Sequence, residues 1–257
     1  MSNYYPVFLN LLGKHCLLVG GGEVALGKVK ALVGAGADLT LVAPTIHHGL
    51  LEPVLNGLRI KQRPFEVSDL DGVFLAIAAT DDHGLNQRIH RLCEERGILV
   101  NVVDDTPLCN FILPSIAKEG PLQVAVSSSG TSPTMARQLR QRIQVEILKP
   151  ELGDLAAFLG KWRKQINPHL PTFALKKAFW QAVMRSNLRR WLQAGNFRRA
   201  VAILKTQLMD IRENAGLPGL PPDSLAWGSA DMHADTATFT TEAAASLSAI
   251  GGNFEQR

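Results

Sequence analysis

Residues Cys16–Pro44 read CLLVGGGEVALGKVKALVGAGADLTLVAP. Cys16 to Val19 is a short apolar strand, broken by Gly20, Gly21 and Gly22. Apolar residues then recur at helical spacing from Val24 to Val33, and Gly34 and Gly36 end that helix. Leu39 to Val42 is a second strand, stopped by Pro44. Strand, tight turn, helix and strand in this length make a βαβ unit. Its turn has the spacing Gly20-x-Gly22-x-x-Ala25. The first glycine permits the turn, the second lets a pyrophosphate approach the backbone, and a small third residue lets helix and strand pack closely. The surrounding βαβ context is what gives this otherwise weak motif weight as a dinucleotide site. One part of the fingerprint is missing. At the end of the second strand, Val42-Ala43-Pro44-Thr45 offers neither an acid for the ribose hydroxyls nor an arginine for a 2′-phosphate. Backbone groups or the Thr45 hydroxyl then have to hold the ribose.

The same texture continues outward. Arg59–Arg63 is a short strand, Val73–Ala78 an unbroken apolar one, Asn86–Glu95 an amphipathic helix, and Ile98–Val103 another strand. Strands without polar alternation are buried on both faces, so an open parallel α/β sheet is expected. Beyond Asp105, CNFILPSI and PLQVAVSSSG read as two more strands separated by the polar AKEG. Ser132 and Pro133 then open a helix to about Leu148, closed by Pro150. Helices follow over Leu152–Ile166, Thr172–Leu192 and Phe197 to about Ile211. From Glu213 the chain reads as linker and mobile tail, with AAASLSAI as an alternative docking segment.

Of 257 residues, 46% are hydrophobic, enough for a sizeable core in one or two domains. No apolar run approaches the roughly 18 residues of a membrane span, and the N-terminus lacks the pattern of a signal peptide. A cytoplasmic protein with no membrane partner is expected. Cys16, Cys93 and Cys109 show no CxxC and no metal spacing, and the scattered histidines form no ligand set. Reduced thiols and no metal centre follow. The formal charge of +4 hides an asymmetry. Between Arg137 and Arg212 the acids are only Glu146, Glu151, Asp154 and Asp210, against many Lys and Arg. A polyanionic partner or a solvated basic helical face both fit that bias.

Two apolar strands end in carboxylates, at AATDD (Ala78–Asp82) and VVDD (Val102–Asp105). Ligands of open α/β sheets lie outside such strand ends, which puts Thr80 and Asp104 near the cofactor crevice. Asp81, Asp82 and Asp105 serve equally well as helix caps or solvated loop residues. The stretch SSSGTSP (Ser127–Pro133) suits either anion binding or simple capping of the helix after it.

Four stretches, VGGGEVALGKVKALVGAGADLTLVAP, AIAATDDHGLNQRI, VNVVDDTPLCNFILPSI and PLQVAVSSSGTSPTMARQLRQRI, together resemble the siroheme synthase family in its precorrin-2 dehydrogenase/sirohydrochlorin ferrochelatase module. The match is close over roughly Tyr5 to Arg142 and looser to about Ile211. The resemblance implies an NAD-binding Rossmann domain over 1–113, a strand-helix dimerisation region over 114–149, a small helical domain over 150–213, and the tail over 214–257. It implies a homodimer that oxidises precorrin-2 to sirohydrochlorin with NAD, with Fe2+ insertion to siroheme in many members. Its essential aspartate falls on Asp104. Its NAD contacts fall around Gly22, Glu23 and Val24 and around Pro44 and Thr45, to which the glycine turn adds Gly20 and the strand-end argument Thr80. A serine phosphorylated in some members aligns with Ser128. The larger relatives add a methyltransferase domain that a chain of this length is not expected to hold. A basic helical half suits a substrate carrying many carboxylates. Two other readings stay open: a dehydrogenase served by a separate chelatase, and an NAD-sensing regulatory module. The second fits poorly with the lack of a helix-turn-helix or other nucleic-acid motif.

Overall fold

The computed structural model describes residues 4–51 and 58–220. The proposed tail from residue 221 onward, AAASLSAI included, lies outside the described residues. Two compact units result: Met1–Ser115 with Ser127–Ala136, and Ile116–Val126 with Arg137–Arg257.

The first unit is built on five parallel strands: β1 (His15–Val19), β2 (Asp38–Val42), β3 (Leu58–Lys61), β4 (Leu75–Ala78) and β5 (Leu99–Val102), in the order β3-β2-β1-β4-β5. Helix α1 (Glu23–Gly34) joins β1 to β2, and α2 (His83–Arg96) joins β4 to β5. The chain winds one way from β1 and the other way from β4. Right-handed crossovers then put α1 and α2 on opposite faces. The period of two along each strand sorts the core accordingly. Leu17 and Val19 pack with Ile89 and Cys93 of α2. Cys16 and Leu18 pack with Ala25, Val29 and Leu32 of α1. Both faces of β1, β2, β4 and β5 are covered, as their unbroken apolar sequences require.

The loop after β3 is pinned by a residue that no motif marked. Asp69 sits in a short 3-10 turn, Val67–Leu70, with its side chain fully buried. It accepts from Arg63 at 2.7 and 2.8 Å, from Lys61 at 2.8 Å and from the Glu66 backbone at 3.0 Å. Burial alone would raise its pKa. The hydrogen bonds from Arg63 and Lys61 outweigh burial and hold it well below the usual carboxylate range.

The second unit joins a two-stranded sheet, β6 (Ser115–Glu119) and β7 (Leu122–Val126), to a helical bundle. Gly120 turns between the strands at φ 52°. Its backbone lies so close to Gly153 that a Cβ on Gly153 would sit 3.2 Å from the Glu119 carbonyl oxygen. Helices α4 (Pro150–Ile166), α5 (Phe173–Arg185), α6 (Leu188–Gln193) and α7 (Phe197–Asn214) share a core of Phe158, Trp162, Ile166, Phe179, Val183, Leu188, Leu204 and Leu208.

Several expected boundaries move for local reasons. CNFILPSI is not a strand before Ser115, because its Cys109 and Asn110 bond to β5 through their side chains. AKEG is no separator, since Ala117–Glu119 belong to β6. Helix α3 (Pro133–Arg142) passes into a π-turn over Ile143–Ile147, and Pro150 opens α4 rather than closing α3. Pro is suited to that first helical position. The expected helix 172–192 is broken between α5 and α6. The Ser186 hydroxyl donates to the Val183 carbonyl and accepts from the Leu188 N–H, giving the backbone an alternative to continued helix. No helix among the described residues is long and apolar enough to cross a membrane.

Candidate functional site

The carboxyl edge of the sheet gathers the chemistry-bearing residues of the first unit. Strand order reverses between β1 and β4, which opens a crevice at that edge. Gly20 stands at the reversal with φ 118°. A Cβ there would lie 2.1 Å from the Ala79 carbonyl oxygen, so the turn after β1 admits no side chain. Gly21, which the fingerprint leaves as an arbitrary position, is equally constrained: its Cβ would meet the Thr45 carbonyl oxygen at 2.1 Å. The His47 N–H donates to the Gly21 carbonyl at 2.7 Å and ties the loop after β2 to the glycine turn. Exposed Pro44 and Thr45 are thereby held beside that turn.

Gly22 differs. A Cβ there would meet nothing within 4 Å, and it caps α1 without a side-chain hydrogen bond. The first turn of α1, with Glu23 and Val24, is exposed. Its backbone N–H groups have no intrahelical partner and carry the positive end of the helix dipole. Open space over free donors is what a pyrophosphate needs, so these residues fit a dinucleotide. No carboxylate stands at the end of β2 to take the ribose, as the sequence indicated.

The end of β4 is a locked turn. Thr80 Oγ1 donates to Asn86 Oδ1 at 2.7 Å, and Asn86 Nδ2 donates back to the Thr80 carbonyl at 2.9 Å. Asn86 is buried. The single hydroxyl proton of Thr80 is thus used inside the protein, and only acceptor capacity faces a ligand. Asp82 caps α2, accepting the Leu85 N–H at 3.0 Å.

At the end of β5 the two aspartates part. The backbone turns over Val102–Asp105, closed by the Asp105 N–H on the Val102 carbonyl, with Asp104 at φ 60°. Few L-residues tolerate this left-handed region; Asp and Asn are among them. Asp104 is exposed at the sheet edge and makes no hydrogen bond or ion pair within the described residues. Asp105 folds inward, one-quarter exposed, with its carboxylate 3.4 Å from His83 Nδ1 at the start of α2. Beneath them lies a network that sequence reasoning missed. Buried Asn101 donates to the Phe111 carbonyl and toward Cys109 Sγ. Cys109 Sγ accepts the Val102 N–H and lies 3.2 Å from the Asp105 carbonyl. Asn110 accepts the Val100 N–H and donates to the Ile98 carbonyl. The free edge of β5 is satisfied in this way, and the loop that presents Asp104 is fixed. The one polar residue inside an apolar run, Asn101, was the signal available in the sequence.

Burial disfavours the thiolate at all three cysteines. Burial pushes Cys16 and Cys93 up to about 11, aided at Cys16 by Asp38, and burial raises Cys109. Among the described residues no three His, Cys, Asp or Glu gather into a metal site. In SSSGTSP the capping role is visible: Ser132 Oγ accepts the Met135 N–H, and half-buried Ser128 Oγ accepts the Ser132 N–H at 2.9 Å.

Comparison with known proteins follows the same layout. Residues 7–115 match a family described as NAD(P)-binding. Residues 119–145 match the central region of sirohaem biosynthesis proteins, and 151–208 the sirohaem synthase dimerisation region. The siroheme synthase of Photorhabdus laumondii is 39% identical over 223 residues, covering 86% of this chain and 47% of the relative. That of Azotobacter vinelandii is 42% identical over 207 residues, covering 80% and 44%. The chain thus spans a little under half the length of these relatives. Among solved structures, the precorrin-2 dehydrogenase SirC superposes with a TM-score of 0.62 at 24% identity, over 82% of this chain and all of that one, a likeness of fold. Three consecutive segments are thus matched in order, and over them the chain is similar to the siroheme synthase family.

Proposed function

We propose that this protein oxidises precorrin-2 to sirohydrochlorin with NAD as hydride acceptor, and that Fe2+ insertion to siroheme follows at the same site. The observation that carries the reading is the pairing of two features on one sheet edge. Free N–H groups stand over open space at Gly22, and an exposed carboxylate, Asp104, is held in a left-handed turn two strands away. With strands about 4.8 Å apart, β1 and β5 ends are separated by roughly 10 Å, a span that one cofactor and its substrate bridge.

When bound, the oxidised nicotinamide accepts the hydride. Everything else falls to the chain. The α1 N-terminus holds the pyrophosphate through Gly22, Glu23 and Val24 N–H groups. Gly21 and His47 keep Pro44 and Thr45 beside the ribose position. Asp104 accepts the proton that leaves the macrocycle with the hydride. In chelation the pyrrole N–H protons leave as Fe2+ enters, and the same carboxylate accepts them. Iron is a substrate here, with the macrocycle as its ligand set.

NAD as the cofactor follows the family resemblance, since the end of β2 carries neither the acid that suits NAD nor the arginine that suits NADP. A homodimer is supported by the dimerisation family matched over 151–208 and by exposed apolar residues at Ile116, Leu139, Val145 and Ile147. The reading extends to Ser128 as a phosphorylation site, where new charge would fall beside the first turn of α3. Domain limits near 113, 149 and 213 and a cytoplasmic location belong to the same proposal.

Anaerobic incubation of the protein with precorrin-2 and NAD+, followed at the sirohydrochlorin absorbance, tests the oxidation. Sirohydrochlorin with Fe2+ and no NAD then tests chelation against the spontaneous rate. A chain that completes the first and not the second is a dehydrogenase alone.

A further inference from the structure

With neither an acid nor an arginine at the end of β2, some other group has to meet the adenosine ribose. A pair of histidines stands just beyond that strand. The chain after Pro44 folds back onto the glycine turn that follows β1. The His47 N–H donates to the Gly21 carbonyl at 2.7 Å, and a Cβ on Gly21 would run into the Thr45 carbonyl oxygen. A Cβ on Gly49 would lie 3.0 Å from Leu26 Cδ2 of α1 and 3.3 Å from His47 Nδ1. The loop is thus packed against both the turn and α1, beside the open space over Gly22. Along a dinucleotide, the adenosine ribose follows directly on the pyrophosphate that the α1 N-terminus suits.

The Gly49 N–H donates to His47 Nδ1 at 3.2 Å. In the neutral ring that leaves the proton on Nε2. Nε2 has no hydrogen-bond partner among the described residues, and the side chain is half-buried. The exposed His48 ring lies against it, with centroids 4.2 Å apart and planes tilted by 32°. The position therefore offers donors, the His47 Nε2–H and the exposed Thr45 hydroxyl. An acid in this place accepts from the ribose hydroxyls and repels a 2′-phosphate. A donor meets a hydroxyl oxygen and a phosphate oxygen alike. Rejection of the phosphate needs a repulsive group, and little here supplies one. Among the described residues from β1 through β3 the acids are Glu23, in the first turn of α1, and Asp38, paired with Arg59 at the opposite end of β2. Beyond the end of β3, Lys61 and Arg63 face Asp69 and Glu66, a set with no net charge.

We infer that His47 meets the adenosine ribose by donation from Nε2, with His48 holding its ring, and that the cofactor site admits a 2′-phosphate, so that this chain binds NADP as well as NAD. The family matched over residues 7–115 is described as binding NAD(P), which spans both nucleotides. The inference rests on the proposed cofactor site at Gly22 and α1. It involves neither Asp104 nor the tetrapyrrole.

The test is calorimetric titration of the full chain with NAD+ and with NADP+ at neutral pH. The wild type binds NADP+ within about tenfold of NAD+. His47→Asp keeps an acceptor for the Gly49 N–H and exchanges the ring donor for a carboxylate. It holds NAD+ within about threefold, which shows that it is folded, and weakens NADP+ at least tenfold. His47→Asn keeps the same acceptor with a neutral donor and leaves both nucleotides within about threefold. Gln123→Glu, the same added charge on an exposed position of β7, leaves both within about twofold. Wild type that binds NAD+ and holds NADP+ more than tenfold more weakly overturns the inference and leaves the proposed cofactor site standing. NADP+ affinity unchanged in His47→Asp overturns it, as does an equal loss of both nucleotides in that variant. A matching loss in Gln123→Glu reduces the effect to net charge and overturns it too. Wild type that binds neither nucleotide overturns the cofactor site and the inference together. Turnover of precorrin-2 is read separately, so a failed reaction with nucleotide bound counts against the proposed reaction alone.

Discussion

Asp104 is a charged side chain on a backbone position that most residues avoid. Left-handed φ at a non-glycine residue costs on the order of 1–3 kcal/mol and persists where surrounding structure imposes it. Here the turn is closed by the Asp105 N–H on the Val102 carbonyl, on a strand end held by Cys109 and Asn110. This separates geometry from charge experimentally. Asn also tolerates the left-handed region, so Asp104→Asn keeps the turn and removes the base. Oxidation should fall by about 10²–10⁴-fold, the range for loss of a general base, with melting temperature and cofactor binding unchanged. Gly20 gives the opposite kind of residue, where shape alone matters. Gly20→Ala drives a Cβ to 2.1 Å from the Ala79 carbonyl oxygen. It should cost at least about 2–3 kcal/mol in urea unfolding and abolish cofactor binding through the displaced turn. Gly22→Ala, facing open space, should fold normally and weaken only the cofactor.

At the scale of elements, the edge strand β5 is the part of the sheet that needs help. Its outer hydrogen-bonding groups are met by a loop that uses side chains in place of a sixth strand. Asn110→Ala leaves the buried Val100 N–H without a partner and should destabilise by about 1–2 kcal/mol. Activity should fall beyond that, because the Asp104 turn loosens; amide exchange at Val100 and Val102 reports the opening. The same loop shows why part of the site was hidden in the sequence. Periodicity placed β1, α1, β2, β4, α2 and β5 within a few residues, since buried parallel strands and an amphipathic helix write their burial into composition. Gly20 and Gly22 were legible for the same reason. Side-chain-to-backbone contacts write nothing periodic. CNFILPSI therefore looked like a strand, Ser186 looked like helix interior, and Thr80 gave no sign that Asn86 holds its hydroxyl. Gly21 stayed unmarked because its constraint comes from Thr45, more than twenty residues away.

Across the whole molecule, stability and charge are handled in different places. Asp69 is the buried acid of the sheet unit, and its pKa is depressed, so its contribution has a definite sign. It is complete above the unfolded value of about 3.9. It is lost as pH falls through the folded one. Asp69→Asn should cost about 2–3 kcal/mol at pH 7. This is below the roughly 3–5 kcal/mol of a wholly buried pair, since Lys61 and Arg63 reach solvent. Urea midpoints of wild type and variant should converge as pH drops below about 4. The helical unit, by contrast, carries no acid between Asp154 and Asp210 to offset the Lys and Arg of that stretch. These parts meet in the proposed reaction, in which the exposed carboxylate at the end of β5 removes a proton from a tetrapyrrole while a nicotinamide takes the hydride. Its most direct measurement is anaerobic oxidation of precorrin-2 with NAD+ by wild type and Asp104→Asn, with NAD binding measured in parallel. The account predicts turnover by the wild type, a loss of at least a hundredfold in the variant and equal NAD affinity in both. Undiminished turnover by Asp104→Asn, or none by the wild type with NAD bound, would contradict it.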